Sequence, residues 1–244
     1  VIESGRERIQ DYLVAAGLQS IAAREAEIER AVRDFLEAMG EKVHISGLDT
    51  LYTYRVPMLS DDGVCSVIDE LAPVPYDLTG ILGGRSEQTT RRLALLERLV
   101  ERAQETTGAG WIGIYQKRTT PAGAAVLVKL AYVGRPSRAE FPLTREFAGR
   151  STNSTVGLTG RAIVIDDVTR HVEQGGGFYV CDPDVKSEAC LPIVDLLTPW
   201  GPPPGAAREL LGIIDAEANE KRFFGGQRTA TLAALAIVAA AALP

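Results

Sequence analysis

Hydrophobic spacing divides the chain into three stretches. Over residues 1–40 apolar side chains recur at three- and four-residue intervals, with Ile21, Ile28, Val32, Phe35, Leu36 and Met39 on one stripe. Glu25, Glu27, Glu29, Arg30, Arg33 and Asp34 fill the opposite face. This period predicts helices. Arg6 to Ala16 forms the first, ended by Gly17, and Ser20 caps a second that stops at Gly40. Residues 41–85 hold no sustained period. Asp61-Asp62-Gly63 is a turn, Pro57, Pro73, Pro75 and Gly83-Gly84 are breaks, and Leu51 to Val56 suits a short strand. Helical spacing returns after Ser86, which caps a stripe of Leu93, Leu95, Leu96, Leu99, Val100 and Ala103 ending at Thr107-Gly108.

From Gly110 the pattern changes to strands. Trp111 to Tyr115 and Ala125 to Val133 read as a hairpin turning through Pro121 and Gly123. Glu140 to Leu143 is a brief strand, Arg145 to Thr155 a polar surface loop, and Gly157 to Ala162 a tight turn entering a short helix. Val164 to Val168 is a strand ending in acids, with His171 solvated in the loop beyond. Trp200 to Gly205 is a surface turn, Leu210 to Glu217 a strand, and Arg228 to Leu243 a terminal helix. Helices thus stand before and after a run of strands that opens with a hairpin. The two flanking helices are placed to pair with each other or to form a dimer interface.

Composition narrows the function. The net charge of −6 and pI near 5.1 oppose a general nucleic-acid surface, which needs a basic field. No apolar run reaches the roughly 18 residues of a membrane span; the Ala233 to Leu243 run reads as a buried helix. No signal peptide opens the sequence, and three cysteines in 244 residues are no secreted disulfide framework, so a reducing cytoplasm is expected. Two histidines and no C-x-x-C leave little for a structural zinc site. No motif calls for a metal or a cofactor. Cys65, among Val64, Val67 and Ile68, reads as a core residue.

Candidate chemistry gathers in three places. Trp111, Gly113 and Tyr115 share one strand face, so two aromatic rings flank a gap. Asp215 and Glu217 share another, and two adjacent acids repel unless a cation or a proton lies between them. A strand end with both acids in water is the competing reading. The third place is Gly177 to Pro192, where Cys181-Asp182-Pro183-Asp184 makes a turn and Glu188 and Cys190 follow. Carboxylates beside a thiol oppose thiolate formation. A nearby carboxylic acid suits another task, protonating a departing oxygen. Thiol attack on a sulfoxide sulfur with such an acid leaves a sulfenic acid on the cysteine.

Trp111-x-Gly-x-Tyr115, Gly157-x-x-Gly160, the Val164 to Val168 strand, Cys181-Asp182 before Ser187-Glu188 and Pro192, Gly212-x-x-Asp215-x-Glu217, and Arg222-Phe223 occur in that order. This series resembles GAF domains, and most closely the branch of free methionine-R-sulfoxide reductases. The resemblance covers about Ser86 to Pro244 and leaves residues 1–85 as a helical and irregular N-terminal extension. It implies an α+β, GAF/PAS-like fold: a central antiparallel sheet flanked by helices, with helices on one side of the sheet and a closed ligand cavity on the other. It also implies roles: Cys181 as attacking thiol, Glu188 as proton donor, Trp111 and Tyr115 as walls, and Asp182, Glu188, Asp215 and Glu217 as ligand-binding acids. The reductases carry two further cysteines that resolve the sulfenic acid. This chain has Pro136-Ser137-Arg138 and Gly157-Leu158-Thr159-Gly160 at those places, and Cys190 reads first as core. The expectation is therefore a sensory module binding a small amine-bearing metabolite, working as a homodimer. The alternatives are a sulfoxide reductase needing a thioredoxin-like reductant, a thiol redox sensor through Cys181 and Cys190, and a pure dimerisation module.

Overall fold

The computed structural model describes residues 2–41, 50–59, 70–196 and 208–244. Its helices are α1 (Ile2–Ala16), α2 (Glu25–Gly40), α3 (Glu87–Thr107), α4 (Arg145–Ala148), α5 (Thr152–Thr159), α6 (Val168–Glu173) and α7 (Gly226–Ala242). Its strands are β1 (Thr53–Tyr54), β2 (Tyr76–Asp77), β3 (Trp111–Thr119), β4 (Ala125–Val133), β5 (Glu140–Pro142), β6 (Ile163–Ile165), β7 (Ser187–Val194) and β8 (Leu210–Ala218). Strands β1 and β2 form a small ribbon, and the other six form one antiparallel sheet in the order β5-β4-β3-β8-β7-β6.

Alternation along these strands sorts side chains onto two faces. Ile112, Ile114, Val126, Val128, Leu191, Ile193 and Ile214 point to one, where they meet Leu93, Leu96, Leu99 and Val100 of α3 and the apolar surface of α7. Helix α3 starts where Ser86 Oγ accepts the Thr89 amide at 3.0 Å and ends where Gly108 takes a left-handed φ of 72°. Helix α7 is buried on almost every side. Alanines at 230, 233, 234, 236 and 239 let it lie close to the sheet, to α3 and to α2 at once. Apolar as it is, α7 is a core helix. No helix among the described residues is long and apolar enough to cross a membrane.

The N-terminal residues are folded onto the sheet domain. The Tyr12 hydroxyl on α1 donates to the Pro192 carbonyl at 3.0 Å, and α2 lies against α3 and α7. The face of α3 and α7 expected to pair or dimerise is paired, and α2 covers its outer side. The β1–β2 ribbon sits at the other end of the sheet: the Tyr54 hydroxyl donates to the Lys129 carbonyl at 2.7 Å, and the Tyr76 hydroxyl donates to Glu140.

Five local expectations change. Ser20 lies inside a 3₁₀ turn, Gln19–Arg24, which buries Ile21 and delays α2 to Glu25; Ser20 makes no cap. Residues 145–155 are not a surface loop. Thr144 and Ser151 cap α4 and α5, and Thr152 and Asn153 are buried. Gly160 ends α5 with a φ of 65°, so at Gly157 to Ala162 the helix precedes the turn. His171 belongs to α6, capped by Asp167, and its ring is 3.3 Å from the Gly177 carbonyl. The Leu51 to Val56 strand narrows to Thr53–Tyr54. Cys65, the Asp61-Asp62-Gly63 turn and the Trp200 to Gly205 turn lie outside the described residues.

Candidate ligand-binding site

The second face of the sheet carries the chemistry. Register places Trp111 opposite Glu217, Gly113 opposite Asp215 and Tyr115 opposite Ile213. On the other side of β8, Glu217 pairs with Glu188 and Asp215 with Cys190. Aligned neighbours point the same way, so two aromatics, three acids and a thiol share one patch. Gly113 is required by close approach: a Cβ there would sit 2.2 Å from the Trp111 ring, which lies over it. The indole donates to the Arg135 carbonyl at 3.0 Å and stacks on Tyr132.

Helix α5 roofs the acids. Thr152 Oγ1 donates to Glu188 Oε1, and Asn153 Nδ2 donates to Asp215 Oδ2 at 3.0 Å. Glu188 is 2% exposed and Asp215 3% exposed, so neither lies in water, and the strand-end reading of Asp215 falls away. Their remaining oxygens, Glu188 Oε2 and Asp215 Oδ1, are buried with no hydrogen-bond partner among the described residues. Two buried carboxylates cannot both stay ionised without compensation. Burial, then the Asp215 charge, pushes Glu188 well above the usual carboxylate range. Burial also raises Asp215, to about 6, against the pull of its hydrogen bonds to Asn153 and Glu188. Burial and the neighbouring Asp215 charge favour a proton on Glu188.

Two loops close the mouth. Residues 134–138 follow β4, and residues 177–186 precede β7. Arg135 pairs with Asp182 at 3.7 Å, and Arg138 donates to the Tyr179 hydroxyl at 3.0 Å while stacking over Phe147 at 4.9 Å. Behind them lies an inner chamber of about 10 Å³ lined by Trp111, Tyr115, Ser137, Cys181, Glu188, Asp215 and Glu217 among others. That is room for about one water-sized group. An outer chamber of about 120 Å³ includes Arg135, Asp182, Val185 and Asn219. Trp111, Ser137, Cys181 and Glu217 line both and form the partition.

Of the residues expected in the site, Trp111, Tyr115, Cys181, Glu188, Asp215 and Glu217 meet in the inner chamber. Asp182 does not. It lines the outer chamber only, its carboxylate accepting the Asp184 amide at 2.9 Å in a local turn and facing Arg135. Cys190 is buried on the site face without reaching the inner lining, and burial followed by the surrounding acids raises its thiol well above the usual range. Burial and Asp215 likewise hold Tyr115 as a phenol. Sequence reasoning missed Thr152, Asn153, Ser137 and Lys129. Ser151-Thr152-Asn153-Ser154 is an N-cap signature that could have moved this segment from loop to helix. Among the described residues no group of His, Cys, Asp and Glu side chains is arranged to hold a metal ion.

A family model for the GAF domain matches residues 91–243. No curated protein matches the chain. Among solved structures, the type II free methionine-R-sulfoxide reductase of Thermoplasma acidophilum is 19% identical with a TM-score of 0.51, covering 64% of this chain and 94% of that one. The free methionine-R-sulfoxide reductase of Neisseria meningitidis, in complex with its substrate, is 20% identical with a TM-score of 0.48, covering 62% and 77%. The GAF domain of an Acinetobacter phosphoenolpyruvate-protein phosphotransferase is 12% identical with a TM-score of 0.46, covering 62% and 80%. At 19% identity the Thermoplasma match speaks to the fold alone.

Proposed function

We propose that this chain, which belongs to the GAF domain family, is a receptor for a small molecule bearing a primary ammonium group. Glu188, Asp215 and Glu217 hold that group. The reading is carried by one observation: two carboxyl oxygens, Glu188 Oε2 and Asp215 Oδ1, are buried without partners on the inner wall. An ammonium offers donors to both and neutralises their charge. Binding displaces the proton on Glu188. The inner chamber fits a headgroup of that size, and the outer chamber takes what is attached to it. Trp111 and Tyr115 pack on the apolar part next to the headgroup.

Thermal denaturation with ammonium, simple amines and amino acids tests this. A primary amine is expected to raise the melting temperature, the shift is expected to survive Cys181→Ser, and Asp215→Asn is expected to remove it. Absence of any shift across the amine series overturns the receptor reading.

A second reading rests on Cys181 lining the partition within the same acidic chamber. In it the chain reduces a small sulfoxide. The Cys181 sulfur attacks the sulfoxide sulfur while protonated Glu188 gives its proton to the sulfoxide oxygen. The hydroxyl then passes from that sulfur to Cys181 as the new S–S bond breaks, the sulfide departs, the thiol proton returns to Glu188, and Cys181 is left as a sulfenic acid. The sulfoxide sulfur is reduced by two electrons and Cys181 is oxidised by two. Turnover then requires an external thioredoxin-like dithiol, because Arg138 and Thr159 stand where the resemblance places the resolving thiols and Cys190 is held as a buried thiol.

A further inference from the structure

Lys129 is the most deeply buried charged side chain in the site region, at 0% exposure on β4. A buried amine is costly unless its donors and charge are matched. Nζ donates to the Ser137 carbonyl and to Ser137 Oγ, both at 2.8 Å. It also stands 4.0 Å from the Tyr132 ring, 5.0 Å from Tyr54 and 5.8 Å from Trp111. Rings at those distances stabilise a cation. Two of the three belong to the sheet. The third, Tyr54, comes from β1, outside the residues the GAF model matches. Tyr54 is itself fixed by Tyr76 at 5.5 Å and by its hydrogen bond to the Lys129 carbonyl.

Ser137 is part of the partition between the chambers. Its loop also supplies the Arg135 carbonyl that anchors the Trp111 indole and the Arg138 carbonyl that accepts from Tyr115 at 3.4 Å. The contacts form one series: Tyr54 covers Lys129, Lys129 holds Ser137, and the Ser137 loop fixes both aromatic walls.

We propose that Tyr54 and Lys129 are positioning residues for the mouth of the cavity, so that the segment before the GAF module controls access to the acid chamber. Removing the Tyr54 ring lets water reach Lys129 Nζ. The bond to Ser137 then competes with hydration, and the 134–138 loop loosens over the partition. This rests on the reading of the cavity as a ligand site, but the test uses no ligand, so the two fail separately.

The test is the rate at which a neutral aromatic disulfide reagent labels Cys181, in a Cys65→Ser background. Cys181 lies on the partition and reports opening of the mouth; fully buried Cys190 reports wider unfolding. Tyr54→Ala and Lys129→Met are expected to raise the Cys181 rate by about tenfold or more with the Cys190 rate unchanged. Tyr54→Phe, which keeps the ring, and Lys129→Arg, which keeps the charge, are expected to restore most of the protection. Tyr12→Phe, which removes the hydroxyl bond from α1 to Pro192, is expected to leave Cys181 unaffected. If Tyr54→Ala does not fold, Tyr54→Leu takes its place. An unchanged Cys181 rate overturns the proposal, and so does a rise in which Cys190 follows equally or Tyr12→Phe matches Tyr54→Ala.

Discussion

Glu188 and Glu217 stand directly opposite each other across the β7–β8 ladder. Like charges in that position destabilise a sheet, and Asp215 lies two residues from Glu217 on the same face. Above about pH 6, where Asp215 is ionised, the Glu217 charge beside it works against the fold. At pH 8, Glu217→Gln is expected to raise the melting temperature of the unliganded protein by about 2–4 °C while weakening amine binding. Denaturation scans of the two proteins with and without amine measure both effects. A melting temperature that falls on substitution goes against an acid cluster under repulsion.

The acids also set a pH dependence whose sign follows from their direction of shift. Glu188 and Asp215 bind a proton at higher pH in the fold than in the unfolded chain. Their contribution is fully present below about pH 4, the ordinary carboxylate value. It is lost as the pH rises through about 6 for Asp215, and higher for Glu188. Ammonium binding needs the ionised acids, so the amine-induced rise in melting temperature is expected to grow across that window. Calorimetric titration in two buffers of different ionisation enthalpy is expected to show proton release on binding near pH 6. In Asp215→Asn the pH dependence of the empty protein is expected to flatten.

Two glycines on neighbouring strands separate a site effect from a fold effect. A Cβ at Gly113 meets the Trp111 ring at 2.2 Å, whereas one at Gly212 meets the Tyr115 carbonyl oxygen at 2.0 Å. A ring can be displaced into the outer chamber; a ladder carbonyl cannot move without its strand. Gly113→Ala is expected to cost about 1–3 kcal/mol and to abolish ligand-induced stabilisation. Gly212→Ala is expected to cost more than Gly113→Ala. Urea unfolding of both variants ranks them, and the reverse order overturns the account of why each glycine is there.

Single-turnover incubation with methionine sulfoxide separates receptor from reductase. As a receptor, the protein is expected to form no methionine and keep its thiol count. As a reductase it forms methionine in proportion to thiol lost, and Cys181→Ser abolishes the product. Because Cys190 is held as a buried thiol, a Cys181–Cys190 disulfide is expected to form far more slowly than any such burst, which mass spectrometry of quenched samples follows.

Much of this architecture was legible in the residues. Helix α3 declares itself through Ser86, the leucine stripe and Gly108, because cap, periodicity and stop are all local signals. The pairing of Trp111, Gly113 and Tyr115 on one face follows from strand geometry alone. Burial of Asp215 did not follow, since it depends on α5, whose Thr152–Thr159 sequence is small and polar and has no apolar stripe to announce it. Only the acids below explain why Thr152 and Asn153 face inward. Lys129 was equally silent: a lysine between Val128 and Leu130 on a strand looks like a position facing solvent until Tyr54, far away in sequence, is found covering it.

The two faces of the sheet divide labour unequally. Aliphatic packing against α3 and α7 supplies the cohesion, and α7 with its alanine surface binds sheet and helices into one body. The opposite face is held by loops, rings and a few polar contacts. With cohesion concentrated on one face, the polar groups of the other are set more by what they meet than by the need to fold, and a scaffold of this kind changes what it detects without relearning how to fold.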